Sequence, residues 1–235
     1  TKVLYCPKCL TAQQRYTVSK KDLYKKNYSY RAKNTKDVVN GLKNLSTEIK
    51  KNINLKNKCK VLDIGCNDGT LLNFFNKRKF STYGIEPTEA AKDCHKQHKI
   101  YNNFFDISIA KKFLEENGKP DVIVFTNVFA HIENLKQILK ALNFLIGKRT
   151  LLVIENHYLI SVLKKFQFDT FYHEHIRTYS LNSFYHIGNF LNIKIINFSF
   201  PKRYGGNIRV FFRRNTSKKI IIKKKIHSEK KIFFK

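Results

Sequence analysis

The chain is 235 residues long, 42% hydrophobic, and carries 46 Lys and Arg against 17 Asp and Glu, a formal charge of +29. That length holds one good-sized domain plus a fragment or small satellite, and the apolar share is enough for a core, so the chain reads as globular. No apolar run approaches the roughly 20 residues of a membrane span and the N-terminus lacks a secretory h-region, so no membrane partner is expected and the cytoplasm is the expected location.

The positive charge lies in the flanks. Residues 1–60 carry 16 Lys/Arg against 3 Asp/Glu and residues 156–235 carry 17 against 3, while residues 61–155 carry 13 against 11. General bias toward Lys, Asn, Ile and Phe accounts for this pattern, a diphosphate-bearing substrate is a second use for it, and no nucleic-acid partner is expected. Met is absent throughout, position 1 included, which points to an internal piece of a longer protein.

In chain order, Cys6 and Cys9 in C-P-K-C come first, with the spacing of a zinc knuckle whose tight turn aims two thiolates at one metal. Two ligands leave a structural zinc site incomplete. Cys59, Cys66 and Cys94 lie among helix and strand signals and read as packing residues, so the missing pair is expected upstream of Thr1. Tyr24, Tyr28 and Tyr30 then precede a lysine-rich helix expected from Thr35 to Asn52.

The run V-L-D-I-G-C-N-D-G, Val61 to Gly69, reads as a buried strand breaking into a glycine-hinged loop, with a helix expected to start over Thr70 to Phe75. It matches neither G-x-G-x-x-G nor a P-loop, and the carboxylate of Asp63 suits a cationic or hydroxyl-bearing ligand better than a pyrophosphate. Glu86 closes the next strand, Thr82 to Ile85, where a ribose-binding carboxylate is expected, and Pro87 stops that strand. Asp106 follows a weak strand around Tyr101 to Phe105, and Asp121 to Phe129 is a third strand with Asn127 near its exit. An amphipathic helix over Asn134 to Leu145 and a strand over Thr150 to Glu155 complete the order, which implies a parallel, doubly wound α/β sheet. Each acid taken singly reads equally well as a helix cap or surface residue; taken in order they point to a nucleotide-type cofactor.

Further on, Tyr172-His173-Glu174-His175 sets four proton-transferring or hydrogen-bonding groups side by side. Extended backbone would put Tyr172 and Glu174 on one face and both histidines on the other, whereas a turn converges any three. Acid/base catalysis, a structural polar cluster and a metal site with His157 as third ligand are the three readings.

Asp63-x-Gly65-x-x-x-Gly69 after a strand resembles the first motif of class I S-adenosylmethionine-dependent methyltransferases. The order C-x-x-C, Y-S-Y, V-L-D-I-G-C-N-D-G-T-L-L, G-I-E-P-T, N-V-F-A-H-I, F-D-T-F-Y-H-E-H and Y-G-G-N-I-R-V-F resembles the nucleotide-sugar C-methyltransferases, zinc-containing enzymes that methylate C-3 of a dTDP-linked 4-keto-deoxysugar. The resemblance runs to about Arg214 and implies three parts. Residues 1–33 are the remnant of a zinc-binding module with a tyrosine-rich segment, 34–155 a Rossmann-like S-adenosylmethionine domain, and 156–235 the start of a truncated C-terminal α/β domain for substrate.

The same resemblance implies that Asp63, Gly65, Asn67, Glu86, Asp106 and Asn127 hold the cofactor, Asp106 through the adenine amine. It makes His175 the base, Glu174 its orienting or sugar-holding partner, Tyr172 the donor to the ketone oxygen, and His131 a neighbour of the transferred methyl. Tyr28 and Tyr30 match a substrate lid. Departures occur at Asn156-His157, where the family usually has Phe-Pro, and at Tyr204 to Asn207, where His-Gly-Gly-Ser is commoner. An O- or N-methyltransferase of another small metabolite, or an RNA-binding protein with a methyltransferase-like fold, are the competing readings.

Overall fold

A computed structural model describes residues 2–24, 28–53, 58–75, 77–214, 216 and 222–233. They form two units, a central one of Tyr24–Phe125 with Lys136–Val153, and a terminal one of Thr1–Leu23, Thr126–Leu135 and Ile154–Lys235. The chain opens with strands β1 (Val3–Cys6) and β2 (Thr11–Gln14) and one helical turn, α1 (Lys20–Leu23). Next come α2 (Lys36–Lys51), β3 (Cys59–Ile64), β4 (Phe80–Ile85), β5 (Lys99–Tyr101), α3 (Ile107–Asn117), β6 (Val122–Thr126), α4 (Leu135–Leu145) and β7 (Leu151–His157). The remainder is α5 (Leu159–Lys164), β8 (Arg177–Thr178), α6 (Leu181–Phe190), β9 (Lys194–Ser199), β10 (Asn207–Arg213) and α7 (Lys223–Phe233). No helix among the described residues is long and apolar enough to cross a membrane.

In the central unit the strands run β5-β4-β3-β6-β7, with β3 parallel to both β4 and β6. Relative to chain order this is a doubly wound arrangement, and the order reverses between β3 and β6. Strand β3 is buried on both faces, Val61 and Asp63 on one and Leu62 and Ile64 on the other, so it reads V-L-D-I rather than alternating. Helix α2 contributes a stripe of Val38, Leu42, Leu45 and Ile49 at helical spacing, with lysines on its other face. Ile64 pairs with Ile85 on one side and Phe125 on the other, so the chain leaves β3, β4 and β6 at one end of the sheet.

Two expectations shift here. The helix expected from Thr70 is a single 3-10 turn, Leu72–Phe74, because the loop consumes the residues before it and two buried leucines, Leu71 and Leu72, must turn in quickly ahead of β4. The weak strand forms at Lys99–Tyr101, two residues early, and Asp106 caps α3 by accepting from the Ile109 N–H at 2.9 Å.

In the terminal unit β2 pairs antiparallel with both β1 and β8, Ala12 opposite Thr178, and the end of β7 lies beside β10 and then β9. The N-terminal hairpin thus groups with the C-terminal third. The tail from Ser217 is described only over 222–233, where α7 forms. Its Glu229, 1% exposed, accepts from the Leu181 N–H at 2.9 Å, the Asn182 N–H at 3.0 Å and the Tyr158 hydroxyl at 2.7 Å. These are the first amides of α6, which have no partner inside their own helix, and the carboxylate also meets the positive end of the helix dipole. Glu229→Ala strands three buried donors and is expected to lower stability by about 2–4 kcal/mol in urea denaturation, with Glu229→Gln losing less.

Candidate active site

Strand β3 delivers Asp63, 3% exposed, to the end of the sheet where the strand order reverses. Gly65 at φ 74°, Asn67 at φ 51° and Gly69 at φ 74° then turn the chain through left-handed conformations that only glycine adopts freely and asparagine tolerates. The turned loop donates the Asn67 N–H to Glu86 Oε2 at 3.0 Å, while Glu86 Oε1 accepts from the Thr88 N–H at 3.0 Å and its hydroxyl at 2.6 Å. Glu86 is therefore fixed from both sides.

Asp63 has no such support. Its carboxylate takes no hydrogen bond among the described residues, and burial, followed by repulsion from Glu86, pushes it up to about 8. A buried, unpartnered acid beside a second acid is an incomplete ion pair, and a ligand carrying ammonium or sulfonium charge completes it. The residues present therefore fit the amino-acid end of S-adenosylmethionine.

The tyrosine segment is fastened to this loop by its backbone. Asn67 Nδ2 donates to the Tyr30 carbonyl at 3.0 Å, Asn67 Oδ1 accepts from the Ala32 N–H at 2.8 Å, and Asp68 Oδ2 accepts from the Lys33 N–H at 2.9 Å. Arg31 pairs with Asp93 at 2.8 Å and donates to the carbonyls of Tyr28 and Tyr30. Asp63, Gly65, Asn67, Glu86 and Tyr30 thus share one locality. Tyr28 joins it through its carbonyl, and Asp106 commits one oxygen to capping α3.

A second locality lies wholly within the terminal unit. Residues 168–173 turn rather than extend, so Tyr172 and His175 converge, the phenol hydroxyl 3.2 Å from His175 Nε2. His175 Nδ1 donates to the Thr170 carbonyl at 3.0 Å, which fixes the neutral tautomer with its lone pair on Nε2. His131 Nδ1 donates to the Glu174 carbonyl at 2.9 Å, so Glu174 contributes its backbone here. The rings of His131 and His157 lie 5.0 and 4.7 Å from that of His175, and Tyr204 lies 5.5 Å from His157. His173 meets only Tyr172 among these rings, edge-on at 5.5 Å.

Gln14 is the residue that sequence reasoning did not place here, and His157 entered it only as the third ligand of a metal reading. From β2, the amide of Gln14 donates to the carbonyls of Tyr172 and His175, the latter at 2.9 Å, and so pins both ends of the turn. No local pattern announces that contact, which spans most of the chain. Asn127, at φ 55°, donates its N–H to the Glu155 carbonyl at 2.8 Å and accepts from Asn207 Nδ2 at 3.2 Å. Asn207 also donates to Glu155 Oε1 at 3.0 Å, and Arg209 pairs with Glu155 Oε2 at 2.7 Å with both side chains fully buried. This network holds the end of β7, and hence His157, against β10.

Burial keeps all three imidazoles neutral. It lowers His131 to about 3, with His175 adding repulsion, and His157 to about 4, with His175 and Arg203 adding to the effect. His175 is also lowered, by burial. Tyr172 is pushed up to about 12 by burial and then by Glu174, so it stays a hydroxyl donor. Because unfolded histidines titrate near 6.5 and the folded ones lower, the unfolded chain binds extra protons as pH falls. Stability is therefore fully present above pH 6.5 and lost on acidification toward about 3–4. His157→Gln is expected to flatten that loss between pH 6 and 4, read by urea denaturation across pH.

The metal readings find no support in the geometry. No group of three or more His, Cys, Asp or Glu among the described residues is disposed to hold a metal ion. Cys6 and Cys9 sit together at the tip of the β1–β2 hairpin, and Leu10 closes the turn by donating to the Cys6 carbonyl at 2.8 Å. Hydrogen bonds from Cys9, backbone first, hold the Cys6 thiol below its usual range, while burial raises Cys9. Two thiols are half of a structural zinc site.

Comparison with known proteins bears on both localities. A family model described as a methyltransferase domain matches residues 30–196. The C-methyltransferase NovU of Streptomyces niveus is 23% identical over 211 residues, covering 89% of this chain and 50% of NovU, so the chain spans about half the length of the curated relative it matches. Magnesium protoporphyrin IX methyltransferase from Synechocystis PCC 6803, solved with bound SAH, superposes with a TM-score of 0.55 at 15% identity over 75% of this chain and 83% of that one. The CurJ carbon methyltransferase gives 0.57 at 10% identity over 77% and 56%. Plantazolicin methyltransferase BpumL, with a monoazolic desmethylPZN analog and SAH, gives 0.54 at 14% identity over 75% and 83%. These likenesses establish the class I methyltransferase fold.

Proposed function

Because this chain belongs to the methyltransferase-domain family, we propose that it transfers a methyl group from S-adenosylmethionine to the carbon beside a ketone of a nucleotide-linked deoxysugar. The observation that carries this reading is the state of His175. It is a buried neutral imidazole whose tautomer is set by Thr170 and whose basic nitrogen faces a phenol that remains protonated. Oxygen and nitrogen already carry a lone pair, and a base beside them serves only to take up the nucleophile's own proton. Carbon needs a base to gain its pair.

A hydrogen on carbon next to a ketone is acidic enough for a positioned imidazole to remove, and the pair of electrons left behind moves onto the ketone oxygen. As His175 Nε2 takes that proton it stops accepting from Tyr172, whose hydroxyl becomes free to donate to the developing enolate oxygen. The deprotonated carbon would then be the nucleophile for the methyl of the donor. When bound, S-adenosylmethionine supplies that methyl as a sulfonium, activated for transfer.

In this reading the cofactor lies against Asp63, Gly65, Asn67 and Glu86, with Asn127 and Asp106 as further contacts. Tyr28 and Tyr30 cover it toward the sugar, His131 lies near the methyl, and Glu174 holds the sugar. Cys6 and Cys9 serve in this reading as two thiolate ligands of a structural zinc. The setting is cytoplasmic and the partner is the nucleotide sugar alone.

The test is isotopic. Candidate 4-keto nucleotide sugars are incubated in heavy water with S-adenosylhomocysteine, and proton NMR follows the position beside the ketone. Washout of that proton, with methyl transfer to the same carbon when S-adenosylmethionine replaces the product, is the expected result. Methyl transfer to oxygen or nitrogen without washout would give the protein to the competing class.

A further inference from the structure

Two cysteines that read as packing residues meet at the cofactor loop. Cys66 follows Gly65 inside the turn and is 4% exposed, and Cys94, half-buried, ends the short 3-10 helix Glu89–Asp93. Both thiols donate to a single acceptor, the Asn67 carbonyl, at 3.8 Å from Cys66 Sγ and 3.4 Å from Cys94 Sγ. The neighbouring Cys94 thiol, followed by burial and by Asp63, holds the Cys66 thiol well above its usual range. Both sulfurs are hemmed in by glycines: a methyl at Gly69 would lie 3.1 Å from Cys94 Sγ, and one at Gly84 would lie 2.4 Å from Cys66 Sγ. Apolar side chains would fill this space without needing an acceptor, whereas these two thiols converge on one oxygen.

We propose that Cys66 and Cys94 are an oxidative modification site, forming a reversible disulfide that weakens binding of S-adenosylmethionine; the second half of this statement rests on the loop being the cofactor site proposed above. Hydrogen peroxide is the oxidant. The more exposed Cys94 sulfur attacks one peroxide oxygen, the O–O bond breaks, and one water leaves as a sulfenic acid forms. The Cys66 sulfur then attacks the Cys94 sulfur, the S–O bond breaks, and the departing hydroxide carries off the Cys66 proton as a second water. Two electrons leave the two thiols and reduce one peroxide to two waters.

The consequence for the loop follows from length. A disulfide is about 2.05 Å long, shorter than any hydrogen-bonded sulfur contact, so the sulfurs must close up and both donors to the Asn67 carbonyl disappear. Asn67 is the residue whose N–H positions Glu86 and whose side chain anchors residues 30–32. Displacing it disturbs the carboxylate and the tyrosine segment together.

The experiment treats the full chain with peroxide, alkylates it, and maps disulfides by peptide mass spectrometry, with calorimetry of S-adenosylmethionine binding before and after. The expected result is a Cys66–Cys94 linked peptide and at least about tenfold weaker binding, both reversed by dithiothreitol. Cys94→Ala, or Cys66→Ser should the first variant fold poorly, is expected to abolish the peroxide response. The proposal is overturned if peroxide oxidises Cys6 and Cys9 while Cys66 and Cys94 remain separate, or if the linked peptide forms with affinity unchanged. Mapping needs no ligand, so a reduced protein that fails to bind S-adenosylmethionine counts against the methyltransferase reading and is told apart from a failure of the disulfide.

Discussion

Replacing His175 by Gln is expected to lower methyl transfer at least about 10³-fold while leaving the affinity for S-adenosylmethionine within about twofold. Both halves follow from where the side chain sits. His175 makes its contacts to Thr170, Tyr172 and the imidazoles of His131 and His157, all in the terminal unit, whereas the carboxylates assigned to the cofactor are in the central unit. Glutamine keeps a donor for the Thr170 carbonyl but has no basic nitrogen, so proton abstraction fails while the turn survives. Solvent exchange at the substrate carbon should vanish with methyl transfer, because both wait on the same proton. Tyr172→Phe is the graded companion: it removes the donor to the enolate oxygen and should cost about 10²-fold, with exchange slowed rather than lost. Single-turnover transfer of a labelled methyl, beside calorimetry with the cofactor, measures each quantity. A His175→Gln protein that retained a tenth of wild-type activity would remove the need for an enolising base and leave an O- or N-methyltransferase.

What the sequence made legible was local. The Val61–Gly69 loop could be read because a strand, its left-handed residues and the acid inside the turn are contiguous, and Glu86 followed from the length of one strand-to-strand crossing. Tyr172 and His175 could be listed as capable of meeting but not assigned, since their convergence depends on the Thr170 carbonyl and on an amide from Gln14 in a distant hairpin. His157 was legible only as a possible metal ligand. It enters the cluster because Glu155, Asn207 and Arg209 bind the end of β7 to β10, a contact between strands far apart in the chain. Asp106 shows the opposite case, in which the bland reading, a helix cap, is what the backbone uses. The helix expected at Thr70 shows the limit of local signals, because burial of Leu71 and Leu72 chose a single turn.

Asp63→Asn is expected to make the ligand-free protein more stable above neutral pH and at the same time to abolish cofactor binding. The folded carboxyl is raised to about 8 by burial and by Glu86, against about 3.9 in the unfolded chain. Between those values the folded state keeps a proton that the unfolded state releases, so stability falls as pH rises through the window and levels off above about 8. At about 1.4 kcal/mol per pKa unit the loss reaches up to about 6 kcal/mol. Asparagine has the same shape and never ionises, so the variant should melt with the wild type at pH 4 and well above it at pH 8.5.

The penalty has a use. At pH 7 the free wild-type carboxyl is mostly protonated, and binding a cation beside it must expel close to one proton, which calorimetry in buffers of different ionisation enthalpy will count. The variant has no proton to expel and no charge to offer, and its affinity for S-adenosylmethionine should fall at least about 100-fold. A wild type that bound without releasing a proton, or an Asp63→Asn protein that bound equally well, would show that the sulfonium and ammonium charge of the donor is held elsewhere.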